Sequence, residues 1–148
     1  MYTALLHTHS SLRYLVLLLL VAVIAKSLIG WLNKRPFAKM DDKLSLWLLI
    51  LTHTQFLVGL LLYFVSPFVQ FSATTMKDST TRYWTVEHGF MMLAAIALIT
   101  VARITHKKLT TDNAKHKRLF ILNAGALLII VVAILYSGRG LIGGVGAS

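Results

Sequence analysis

Six histidines stand in a chain of 148 residues that contains no cysteine. Without thiols there is no disulfide, no thiolate zinc site, no iron–sulfur cluster and no haem held covalently through a C-x-x-C-H motif. A metal or cofactor would have to be held by His, Met, carboxylate or backbone groups, and neutral imidazole suits both iron and copper. The histidines fall into recognisable settings. His7-Thr8-His9 opens the chain, and Arg13 follows His9 by four residues, on the same face of a helix. His53 sits in the polar cluster "LTHTQFLVG" with Thr52, Thr54 and Gln55. Glu87 precedes His88, and Met92 lies four residues beyond it. His106 and His116 belong to a stretch dense in Lys and Arg and read as ordinary polar loop residues.

These side chains need elements to position them, and the composition says which. The chain is 57% hydrophobic and 14% charged, with its charge set apart from long uncharged runs, which excludes disorder and argues against one water-soluble domain. Residues 44–76 and 119–138 carry no formal charge, and each run exceeds the roughly 20 residues needed to cross a hydrocarbon core. Residues 12–32, interrupted by Arg13 and Lys26, and 85–104, bounded by Glu87 and Arg103, keep their charges near the ends, where long side chains reach the headgroups. The expectation is all-α: an integral membrane four-helix up-down bundle forming one domain. Its helices are placed at about 5–32, 44–67, 84–105 and 117–137. Pro67 closes the second helix, and a Gly-rich, flexible tail follows at 138–148.

Charge gives this bundle a direction. Lys26, Lys34, Arg35, Lys39, Lys43, Arg103, Lys107, Lys108, Lys115, Lys117 and Arg118 gather at one end, against Arg13, Lys77, Arg82 and Arg139 at the other. The positive-inside rule puts the richer end in the cytoplasm and both termini outside. Trp31 and Trp47 toward the inner end, and Tyr14, Tyr83, Trp84 and Tyr136 toward the outer, fit interfacial belts. A basic excess split between two short loops suits lipid headgroups, so no nucleic-acid partner is expected. Tyr14–Ala25 has the length of a signal-peptide core, but no convincing A-x-A site follows it, and the first span is read as retained.

Depth then ranks the histidines. His88 lies fifteen residues from Arg103 and His9 seventeen from Lys26, or about 22 and 25 Å above the inner rim at 1.5 Å per residue. They share one level on helices that run parallel and sit diagonally across an up-down bundle. His53, ten residues from Lys43, is about 15 Å up, near the bilayer middle. There it is either a ligand or an interhelical hydrogen-bonding group. A non-covalent b-type haem explains the set economically, because iron takes neutral imidazole from two faces of a flat apolar disc. Gly59, Gly89, Ala94, Ala95 and Gly125 would leave it room. Arg13 or Arg82 could neutralise a propionate, and Glu87 could accept a proton from a quinol.

The segments "LLHTHSSLRYLVL", "THTQFLVGLLLYFVSP" and "TVEHGFMM" resemble small bacterial four-helix membrane proteins labelled cytochrome b. More loosely, they resemble the cytochrome b561-like and copper-resistance-type membrane families. The resemblance spans about residues 5–136. It implies a b-type haem in a four-helix bundle of the bacterial inner membrane, with both termini periplasmic and with His9, His53 and His88 as the candidate ligands, their pairing left open. The membrane histidines do not form two pairs at two depths, as a di-haem bundle would require. The leading expectation is electron transfer, with quinone or an electron-carrier protein as partner. The alternatives are copper handling by His7, His9 and His88 with nearby methionines, or a non-catalytic subunit of a homo- or hetero-oligomeric membrane complex.

Overall fold

The computed structural model describes residues 2–65 and 87–136. They form four helices: α1 (Tyr2–Leu32), α2 (Lys39–Val65), α3 (His88–His106) and α4 (Asp112–Tyr136). Residues 33–38 and 107–111 are the links within the two helix pairs, short enough to fold each pair back on itself as antiparallel neighbours. α1 packs along α2 and α4, and α3 packs along α4, while α2 and α3 meet over a shorter stretch. The protein is all-α, an up-down four-helix bundle. The expected tail 138–148, the stop at Pro67 and the segment holding Lys77, Arg82, Tyr83 and Trp84 lie outside the described residues.

The core is thin and made by all four helices. Leu20 and Val23 of α1 meet Leu48 of α2, Ala95 and Ile99 of α3, and Ala126 of α4. The alanines let the backbones approach closely, which is how helices associate where lipid gives no hydrophobic drive to do so. The outward faces are apolar as well. Leu18, Leu57, Phe64, Phe90, Leu128 and Leu135 are each more than 60% exposed. Such a surface would be a liability in water and is the expected one in lipid. Each helix is long and apolar enough to span a bilayer, and the chain is accordingly read as a multi-pass membrane protein.

α2 and α4 begin earlier than their apolar runs do. α2 starts at Lys39, ahead of the expected residue 44, because the Asp41 carboxylate accepts the Ala38 backbone N–H at 2.9 Å, one half of a capping box. Asp41 and Asp42 also place negative charge at the positive end of the helix dipole. α4 starts at Asp112, ahead of the expected 117, because Thr111 caps it: its hydroxyl accepts the Ala114 N–H at 3.2 Å. α1 ends in a Schellman turn. Lys34 adopts a left-handed φ of 52°, the Arg35 N–H reaches Gly30 O at 2.9 Å, and the Lys34 N–H reaches Trp31 O at 3.4 Å.

Candidate functional site

At the end of the bundle opposite the basic links, α1 and α2 present matching faces. His9 and Arg13 on α1, and Gln55 and Gly59 on α2, are each four residues apart and so share a stripe on their helix. The His9 ring is laid against the Gly59 backbone, so that a Cβ at Gly59 would lie 3.3 Å from His9 Cε1. Gln55 Nε2 donates to the His9 carbonyl at 2.9 Å, tying the helices together at this layer. Three buried side-chain atoms here have no hydrogen-bond partner among the described residues: His9 Nδ1, Arg13 Nε and Gln55 Oε1. Each buried and unsatisfied group costs about 1–3 kcal/mol. Arg13 uses Nη2 to donate to Tyr14 Oη at 3.2 Å, and its guanidinium lies 5.0 Å from the Tyr14 ring centre.

His88, in the first turn of α3, is half-buried and within electrostatic reach of both His9 and Arg13. The structure therefore brings His9, His88 and Arg13 to one end of the bundle. Gly89 beside His88 has open space where a Cβ would stand. His7 is exposed.

His53 is not brought to this layer. It is exposed, and its Nδ1 lies 2.8 Å from the carbonyl of Leu49 on its own helix. The reason is angular. Gln55 faces α1, and two residues along a helix is a rotation of about 200°, so His53 points to the outside of the bundle. Of the two roles open to His53, the interhelical hydrogen bond is not seen among the described residues; its bond is intrahelical. Thr52 and Thr54 likewise bond back to Leu49 and Ile50 at 2.9 and 2.8 Å. Of the polar cluster in α2, Gln55 is the member seen to reach across. Among the described residues no group of three or more His, Cys, Asp or Glu side chains is placed to hold a metal ion.

The basic end holds a cluster that sequence reading passed over. His106 and His116, expected as ordinary loop residues, are each 1% exposed, one at the close of α3 and the other just inside α4. Phe37 from the first link is wedged between their rings, with both centroids 5.2 Å away. The His116 ring covers Gly30, and its Nε2 lies 3.2 Å from the Arg35 carbonyl that the Schellman turn presents. Arg103 is buried and uses Nη1 three times: toward Asp42 Oδ1 at 2.7 Å, the Asp42 carbonyl at 2.9 Å and Ser45 Oγ at 2.7 Å. His106 Nε2 lies 3.5 Å from the same Asp42 oxygen, and its Nδ1 is 3.1 Å from Ala102 O. One signal could have found part of this. Asp42 is among only five acidic residues, and Arg103 ends a neighbouring span at the same level. Comparison with family models, with curated proteins and with solved structures finds no match for this chain.

Proposed function

We propose that this is a membrane electron-transfer protein in which one non-covalent b-type haem would be held by His9 and His88 at the end of the bundle opposite the basic links. The observation that carries the reading is a concentration of buried polar atoms with no partner among the described residues: His9 Nδ1, Arg13 Nε and Gln55 Oε1. A native core rarely leaves three such atoms together, and a bound polar-edged group at that layer would explain them. The donor set fits haem: two imidazoles on different helices and a cation within one helical turn for a propionate. When bound, haem would supply a reversible one-electron iron couple. Arg13 would balance propionate charge, Gln55 would hold α1 and α2 at the spacing that sets the His9 ring, and Glu87 at the rim would accept a proton from quinol. His53 is set aside as a ligand in this reading, because it faces outward with Nδ1 at the Leu49 carbonyl.

With the basic end in the cytoplasm of a bacterial inner membrane, the haem would lie in the outer leaflet, facing quinone or a periplasmic carrier. An absorption spectrum of the purified protein tests this. The expected result is a Soret band that sharpens and shifts on dithionite reduction, with resolved α and β bands. A colourless preparation that binds copper instead would favour metal handling, and one that binds neither would favour an accessory subunit.

A further inference from the structure

The basic end carries a second feature, unconnected with the haem reading. Phe37, Ala38, Lys39, Asp42, Lys43, His106, Lys107 and Lys115 line a cleft of about 490 Å³. Four lysines reach it from three helix ends: Lys39 and Lys43 from the start of α2, Lys107 just past α3, and Lys115 from the start of α4. Asp42 is the lone carboxylate of the lining, and it is already engaged by Arg103 at 2.7 Å. Among the described residues none of the four lysines forms an ion pair. Lys115 lies 5.4 Å over the Phe37 ring, so the floor of the cleft is aromatic and its rim cationic. The distribution rule for membrane loops accounts for how many lysines a loop holds. It does not account for four of them, from separate segments, converging on one concavity whose carboxylate is neutralised from within. Concave cationic walls focus the field and favour multiply charged anions.

We infer that this cleft is a binding site for a phosphate-bearing anion, supplied either by the headgroup of an acidic phospholipid or by a soluble phosphate compound. Its level suits the first source, because the end of a spanning bundle lies among headgroups, and basic pockets between helices are known lipid-headgroup sites. Lys39, Lys43 and Lys107 are exposed and free to turn toward a ligand, while Phe37 is held in place between two buried imidazoles.

The test uses the full chain in two settings. Nanodiscs of phosphatidylcholine doped with phosphatidylglycerol report lipid retention by native mass spectrometry, and neutral detergent micelles titrated with inorganic pyrophosphate report soluble binding by calorimetry. Lys43→Gln/Lys107→Gln removes two cleft charges. Lys34→Gln/Lys108→Gln removes the same net charge from basic positions outside the lining, and circular dichroism checks that both variants keep their helix content. The expected result is preferential retention of phosphatidylglycerol, weakened about tenfold by the cleft variant and unchanged in the control. Cleft-dependent binding of pyrophosphate with no lipid preference would assign the same site to a soluble ligand. Equal losses in the two variants, or no binding in either setting, would overturn the inference.

Discussion

Gly30→Ala is the substitution whose consequence the structure fixes most closely. An ideal Cβ at Gly30 would stand 2.5 Å from His116 Cε1, 2.6 Å from Nδ1 and 2.7 Å from Nε2, which places the methyl group in the face of the ring. Carbon contacts are comfortable at about 3.5–4.0 Å, so the ring must retreat by about 1 Å. It has little room, because His116 is 1% exposed, packs on Phe37 and has Nε2 at the Arg35 carbonyl. Overpacking of this kind costs about 1–3 kcal/mol, and losing the imidazole–carbonyl bond costs about 1 kcal/mol more. The better helix propensity of alanine returns up to about 1 kcal/mol. The net expectation is a loss of about 2 kcal/mol in reversible unfolding, measured by denaturant titration in mixed micelles. A double-mutant cycle isolates the clash. In a His116→Ala background the obstacle is gone, so Gly30→Ala should be neutral or mildly stabilising, a coupling of about 2–3 kcal/mol. An equal loss in both backgrounds would mean that the ring is not what forbids a side chain at residue 30. Gly89→Ala, whose Cβ meets nothing within 4 Å, is the control and should not destabilise.

Three further outcomes are expected. His9→Ala and His88→Ala should each lose the six-coordinate haem spectrum while His53→Ala keeps it; an unchanged spectrum in His88→Ala would refute the ligand assignment. Gly59→Ala, whose Cβ would lie 3.3 Å from His9 Cε1, should displace that ring by a few tenths of an ångström and weaken haem retention in apomyoglobin transfer assays, with little change in helix content. Asp42→Ala should destabilise more than Arg103→Met, by about 3 against about 2 kcal/mol in the same micelle titration. The asymmetry follows from exposure: the Arg103 side chain is 8% exposed and would be left charged with only Ser45 Oγ and a backbone carbonyl as neutral acceptors, whereas that of Asp42, at 41%, keeps water. The reverse order would show that the arginine has another anion to turn to.

The four spans were legible because crossing a bilayer leaves a coarse mark, a run of about 20 residues without charge. What escaped was angular and terminal. The starts of α2 and α4 lie in charged sequence, where the information sits in the reach of Asp41 back to Ala38 and in Thr111 rather than in apolar content. A rise per residue gives the depth of a histidine but not its azimuth, and helices apolar on all sides offer no polar stripe from which to read one. His53 and Gln55 differ by two residues and face opposite ways. For the same reason His106 and His116, surrounded in sequence by lysines, gave no hint of burial. Their neighbours in space, Gly30 and Phe37, come from the other helix pair.

The two ends of the bundle treat polar groups differently, and that difference bears on function. At the basic end Arg103, Asp42, Ser45 and His106 satisfy one another across α2 and α3, so the short contact between these helices is held by a closed polar network. Among the described residues His116 Nδ1 is unpaired there, but His116 bonds through Nε2; Asn123 Oδ1, unpaired two turns further along α4, belongs to an amide whose Nδ2 donates to Leu119 O. At the opposite end three atoms from α1 and α2 with no partner among the described residues lie close together, on residues that already span the two helices through Gln55. Selection for stability alone would have replaced Gln55 or Arg13 with an apolar residue, since lipid supplies no water to hydrate them and each orphaned group costs about 1–3 kcal/mol. Retaining them together is intelligible if their partner is a bound group. Gln55→Leu separates the cases. Unfolding in the absence of haem should become no easier, while retention of added haem should fall. If instead the variant is less stable without haem and binds it as well as the parent, the layer is held for packing and the haem reading loses its support.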